Sequence, residues 1–183
     1  MIHPTSRFTQ RYALPLRACV VFTSLVTSVV LAVGGSGVFA QSAAPSTMTR
    51  QTITLDGANA MIAAALAHAR DLGLQEVIAI YDESEILKAL VSMDGARVTS
   101  VNFALDKAYT SARRQAATQD LADSFAAAPA VTLHSFLKQP RLTLLGGGLP
   151  IISNGQVVGG IGASGGTIAQ DIEVANAGLA AMH

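Results

Sequence analysis

The segment RLTLLGGGLPIISNGQVVGGIGASGGTIAQDIEVA, Arg141 to Ala175, sets glycine clusters between apolar runs and closes on a helical pattern. Two architectures use glycine this way. A dinucleotide-binding loop needs a parallel strand, a Gly-rich turn and a helix within one βαβ unit. A hairpin sheet packed against a helix needs glycine for its turns and for close backbone approach. The punctuation favours the sheet. Asn154-Gly155, between LPIIS and QVVGGIGAS, is a tight hairpin signal because both residues accept positive φ. Gly159, Gly160 and Gly162 then fall inside a strand, leaving one of its faces without side chains. That bare face admits a helix, a partner subunit or a flat ligand. Thr167, with Gln170 three residues on, forms a capping box for a last helix faced by Ile168, Ile172, Ala175 and Leu179.

Working outward, Leu142–Leu145 reads as a further strand. Upstream, EVIAIY (76–81) and ILKALVSM (86–93) flank the turn DESE and read as a hairpin. A first helix, N-capped by Asp56 and stopped by Gly73, carries Met61, Ile62, Ala65, Leu66 and Ala69 at helical spacing. A second, roughly Ser100–Gln115, presents the stripe Val101, Leu105, Ala108, Tyr109 and Ala112. The alanine-rich stretch 118–140 has a weaker helical pattern, interrupted at Pro129. The order α-β-β-α-(α)-β-β-β-α predicts an α/β (α+β) fold: a central antiparallel sheet flanked by helices.

Residues 1–40 read as an export signal. Arg7, Arg11 and Arg17 supply the basic start, Ala18–Val33 the apolar run, and Val38-Phe39-Ala40 the cleavage site. No Arg-Arg pair precedes that run, which favours the general secretory route. Residues 41–52 then form a linker and 53–183 the folded domain, with the protein expected to be periplasmic or secreted and free of a stable membrane span after cleavage. The chain beyond residue 40 carries nine basic and twelve acidic residues, a net charge of −3, which argues against nucleic acid as partner. The one cysteine, Cys19, lies within the signal, so the exported domain has neither disulfide nor thiolate ligand.

Three stretches together resemble the GlcG/HbpS-type heme-binding (heme-degrading) family, which also supplies the C-terminal domain of PduO-type proteins. They are ARDLGLQEVIAIYD, SMDGARVTSVNFALDKAYTSA and the glycine-rich block with VANAGLAA. The resemblance spans residues 53 to 182. It implies a profilin-like fold, a homo-oligomer and a small-molecule ligand, with heme the best-known class. Two positions depart from the family pattern. Glu85 stands where Asp-x-x-Gly places glycine, and Ser92 replaces the usual arginine before Met-Asp-Gly. An acidic ligand group would then need another cation, such as Arg97, Lys107 or Lys138.

For a heme so implied, His68 on the first helix is the leading iron ligand, and two subunits could share one heme through a His68 each. Thr110 is the fallback, because Lys107 and Arg114 lie three and four residues away on one helix face, where they could meet propionates. His134 is a further histidine and His183 is terminal. The acidic turn Asp82, Glu83 and Glu85 offers oxygen ligands to a hard cation or reads as a solvated turn. The Gly165-Gly166 amides at the last helix start would suit an anionic ligand. Gly162–Gly166 has the Gly-x-Ser-x-Gly form, but only His183 follows Ser164, which argues against a hydrolase triad. The alternative function is an enzyme acting on a small organic acid by acid–base chemistry through Lys107, Asp94 or Ser164. A partner-binding module would need only the bare sheet face.

Overall fold

The computed structural model describes residues 46–182; the export signal read at 1–40 and terminal His183 lie outside the described residues. The elements are α1 Leu55–Asp71, β1 Val77–Asp82, β2 Leu87–Ser92, α2 Val98–Arg114, α3 Thr118–Phe125, α4 Ala130–Leu137, β3 Gly148–Ser153, β4 Gln156–Ser164 and α5 Ile168–Leu179. The strands form one antiparallel sheet in the order β2-β1-β4-β3.

β1 is buried along its whole length, and its alternating residues feed two cores. Ile78 and Ile80 join Met61, Ile62 and Ala65 of α1, and Val174 and Ala175 of α5. Val77, Ala79 and Tyr81 join Ala104, Ala108 and Ala112 of α2. The domain therefore has three layers, with α1 and α5 on one sheet face and α2 on the other. β4 divides the same way: Ile161 and Ala163 enter the first core, while Gly160 and Gly162 face α2. A Cβ at Gly162 would collide with backbone atoms of Ala104 and Ala108, and one at Gly160 with those of Ala108 and Ala112. Of the three occupants open to the bare face, the helix takes it.

That close approach also turns α2 relative to the expected stripe. Its buried residues are Ser100, Ala104, Lys107, Ala108, Thr110, Ser111 and Ala112, whereas Val101, Leu105 and Tyr109 are half-buried. Small side chains face the glycines and the larger apolar ones sit at the margin, because a helix resting on glycine has no room for Leu or Val.

Three local expectations change. Thr54, not Asp56, caps α1: its hydroxyl accepts from the Gly57 amide at 3.1 Å, and Asp56 sits in the first turn. Leu142–Leu145 is not a strand. Thr143 N–H donates to Thr110 Oγ1 at 3.0 Å, which ties this segment to α2, while β3 occupies the free edge of β4. The stretch 118–140 is two eight-residue helices, with Pro129 at the N-cap of α4. The hairpin turn and the capping box form as expected: Ser153 pairs with Gln156 across Asn154 (φ 49°) and Gly155 (φ 76°), and Thr167 and Gln170 cap each other. Glu85 has φ 65°, a left-handed value suited to the glycine it replaces.

Candidate functional site

His68 lies on the α1 face that meets α5. Its ring nitrogen is 2.8 Å from Glu173 Oε1, and the imidazole keeps 32% of its surface exposed. Residues 60, 64 and 68 share that helix face, so Ala60 and Ala64 precede the ring on the same side of α1. His134 is exposed on α4. Among the described residues no group of three or more His, Cys, Asp or Glu could hold a metal ion.

Lys107, Thr110 and Arg114 do not form one anion-binding face. Lys107 is buried, and its ammonium donates to Asp171 Oδ2 at 2.5 Å and to the Ala163 carbonyl at 3.0 Å. Thr110 is fully buried; its hydroxyl donates to the Arg141 carbonyl and accepts from the Thr143 amide. Arg114 is exposed, with its guanidinium 5.6 Å from the Phe136 ring centroid. The tilt that seats α2 on the glycines carries Lys107 and Thr110 inward and leaves Arg114 outside.

The Gly165 and Gly166 amides are likewise committed within the chain. Both donate to Asp171 Oδ1, at 3.2 and 2.9 Å. Asp171 thus fills its own helix N-terminus and neutralises Lys107, a buried ion pair whose remaining acceptor sites are satisfied by backbone amides.

Glu76, at the start of β1, extends this cluster and was legible only as a charged residue leading an apolar strand. It is fully buried, and neither carboxyl oxygen has a hydrogen-bond partner among the described residues. Burial, and next the negative charge of Asp171, push its carboxyl up from 4.5 to about 7, against the opposing pull of Lys107. Two carboxyls and one ammonium therefore share one dry compartment, an arrangement able to hold a proton near neutral pH.

The acidic turn is an internal ion network. Asp82 Oδ1 accepts from the Ser84 and Ile86 amides at 3.0 and 2.9 Å. Glu85 pairs with Arg113 at 2.8 Å and accepts from the Tyr109 hydroxyl at 2.8 Å. Asp82 and Glu85 are thus occupied by protein donors, whereas Glu83 accepts from the Ser84 hydroxyl through Oε1 and its Oε2 has no partner among the described residues.

A family model described as Haem degrading protein HbpS-like matches residues 53–180, from the first buried side chain before α1 to the end of α5. The chain belongs to that family. Among HbpS-like relatives, a 15.0 kDa protein from the dhaT-dhaS intergenic region of Citrobacter freundii is 37% identical over 130 residues, covering 70% of this chain and 90% of that protein. Klebsiella pneumoniae ORFY superposes with a TM-score of 0.71 at 30% identity, over 76% of this chain and 96% of ORFY. The PduOC:heme complex superposes at 0.66 with 28% identity, over 72% and 96% of the two chains. The α+β architecture of this domain is that of HbpS-like structures.

Proposed function

We propose that this HbpS-like domain is an exported heme-binding protein that works as a homo-oligomer, with His68 as the iron ligand. The carrying observation is the His68–Glu173 hydrogen bond. A metal-ligating histidine commonly donates its second ring N–H to a carboxylate, which fixes the tautomer and leaves the other nitrogen for the metal. The heme complex of the related PduOC domain supports the ligand class. The residues present fit such a group: a part-exposed imidazole, Ala60 and Ala64 on the same helix face, and no cysteine among the described residues.

The cleft at the start of α1 does not suit heme. It holds about 600 Å³ around Ile53, Gly57, Ala60 and Met182, but its lining has no imidazole or cationic side chain. Ala60 lies eight residues before His68, roughly 12 Å along the helix at 1.5 Å per residue, too far for ligation from that cleft. Heme at His68 would instead lie on an open surface. Tight small-molecule sites bury most of their ligand, so a second copy would have to cover the other side, which supports the shared-heme arrangement.

When bound, the heme would supply the iron chemistry; the chain would orient it through His68, whose other ring N–H would donate to the Glu173 carboxylate. Hemin titration of the purified protein is expected to give a Soret band that His68→Ala abolishes, with affinity reduced about tenfold or more in Glu173→Gln. An unchanged spectrum in His68→Ala would show that the ligand lies elsewhere. Export is supported by the basic start, apolar run and small-residue site of residues 1–40. Intact mass of the periplasmic or secreted product should place its first residue at Gln41, and a product retaining residues 1–40 would refute cleavage there.

A further inference from the structure

The first turn of α2 is preceded by a cation and carries no acid. Its N-cap is Arg97, which makes no side-chain cap, and no acidic residue stands in the turn. The Arg97 guanidinium has no carboxylate partner among the described residues. By contrast α1 and α5 each have a capping hydroxyl and an aspartate in the first turn. An uncapped helix N-terminus bearing a cation is electrostatically incomplete and attracts an anion.

This turn opens onto a cavity of about 170 Å³, whose far wall is the Ser164–Gly166 loop. Ser100 and Ser164 both line it, are 3% and 5% exposed, and make no side-chain hydrogen bond among the described residues. Neither hydroxyl is sealed off without a partner, so both Oγ atoms are reachable from the cavity and can meet ligand oxygens there. Lys107 and Asp171 lie at its floor, and Phe103, Leu145 and Ile168 form an apolar rim that is 41–47% exposed.

We propose that this cavity binds a short-chain carboxylate, its charged end at Arg97 and the α2 N-terminus, its second oxygen function at Ser164. Size excludes the heme of the preceding proposal: at roughly 30 Å³ per water-sized group, the cavity takes about six heavy atoms. Charge selects a monoanion. Arg97 is the one lining cation without a carboxylate partner, since Lys107 is paired with Asp171, so the site offers a single net positive charge. The apolar rim suits a short hydrocarbon, which phosphate lacks. The site is separate from the α1–α5 face and stands whether or not heme binds at His68.

The test is calorimetric titration of the purified protein with lactate, propionate and inorganic phosphate. Lactate should bind saturably, more tightly than propionate, which lacks the hydroxyl for Ser164, and phosphate should bind weakest. Arg97→Ala should weaken lactate binding about tenfold or more, and Ser164→Ala should bring lactate down to the level of propionate. Arg70→Ala, remote on α1, should leave binding unchanged. Absence of saturable lactate binding would overturn the proposal, as would an unchanged affinity in Arg97→Ala. Phosphate binding as tight as lactate and equally lost in Arg97→Ala would overturn the carboxylate assignment.

Discussion

Glu76 brings a carboxyl group into a place where water does not reach, beside a second carboxylate that already holds the nearby ammonium. The physical consequence is a pH-dependent stability of unusual sign for an acid. Its pKa rises on folding from 4.5 to about 7, so between those values the folded chain binds more protons than the unfolded one. This contribution is least unfavourable below the unfolded value, and stability is lost as pH rises through the window to the folded value. Glu76→Gln, which mimics the protonated acid, should raise the melting temperature at about pH 8 and flatten its decline from about pH 4.5. Thermal melts of both proteins across that range check this; parallel curves would mean that Glu76 is not the titrating group. Glu85 shows the other face of residue-scale chemistry. It accepts a left-handed backbone at about 1–2 kcal/mol, offset by its contacts with Arg113 and Tyr109.

At the scale of elements, the decisive pair is β4 against α2. Helix and strand approach until Cβ atoms at Gly160 and Gly162 would overlap helix backbone, which cannot yield as a flexible side chain would. Gly162→Ala should therefore destabilise the domain by about 3 kcal/mol or more. Gly155→Ala, at an exposed hairpin position with open space around it, should cost only the left-handed penalty of about 1–2 kcal/mol. Urea unfolding of the two variants separates the causes, since only the first reports on helix–sheet contact. Equal losses would mean that the strand can shift away from α2. The same contact explains why the α2 stripe is alanine-rich and why Lys107 points into the protein toward Asp171.

At the scale of the whole molecule, several apolar side chains remain uncovered. β2 is an edge strand, and Ile86, Leu87, Leu90 and Val91 are exposed on it or just before it. No helix among the described residues is long and apolar enough to cross a membrane. Exposed apolar surface at a sheet edge favours association of copies, which accords with the need to cover a heme at His68. Size-exclusion chromatography with light scattering should return a mass of at least two chains, and Leu90→Lys should lower it if the β2 edge is the contact. A monodisperse monomer in the wild type would refute the oligomer.

Periodicity and punctuation alone determined most of the architecture. The short apolar run of β1, the Asn-Gly turn and the Thr167–Gln170 box are local signals, because each depends on residues within a few positions of one another. The family was legible for a related reason: its motifs are contiguous stretches. What only the tertiary structure decided is where polar groups end up. Helical spacing places Lys107, Thr110 and Arg114 together on a cylinder, but cannot say which way the cylinder turns when it settles on a glycine face. That rotation buries Lys107 against Asp171 and ties Thr110 to Arg141 and Thr143. Leu142–Leu145 has the composition of a strand, yet the edge of β4 was taken by β3. Glu76 and Asp171 are 95 residues apart, and Ser100 and Ser164 64 apart. The meeting of the first pair beside Lys107, and of the second at one cavity, follows from sheet order and layer packing, long-range facts that no local pattern encodes.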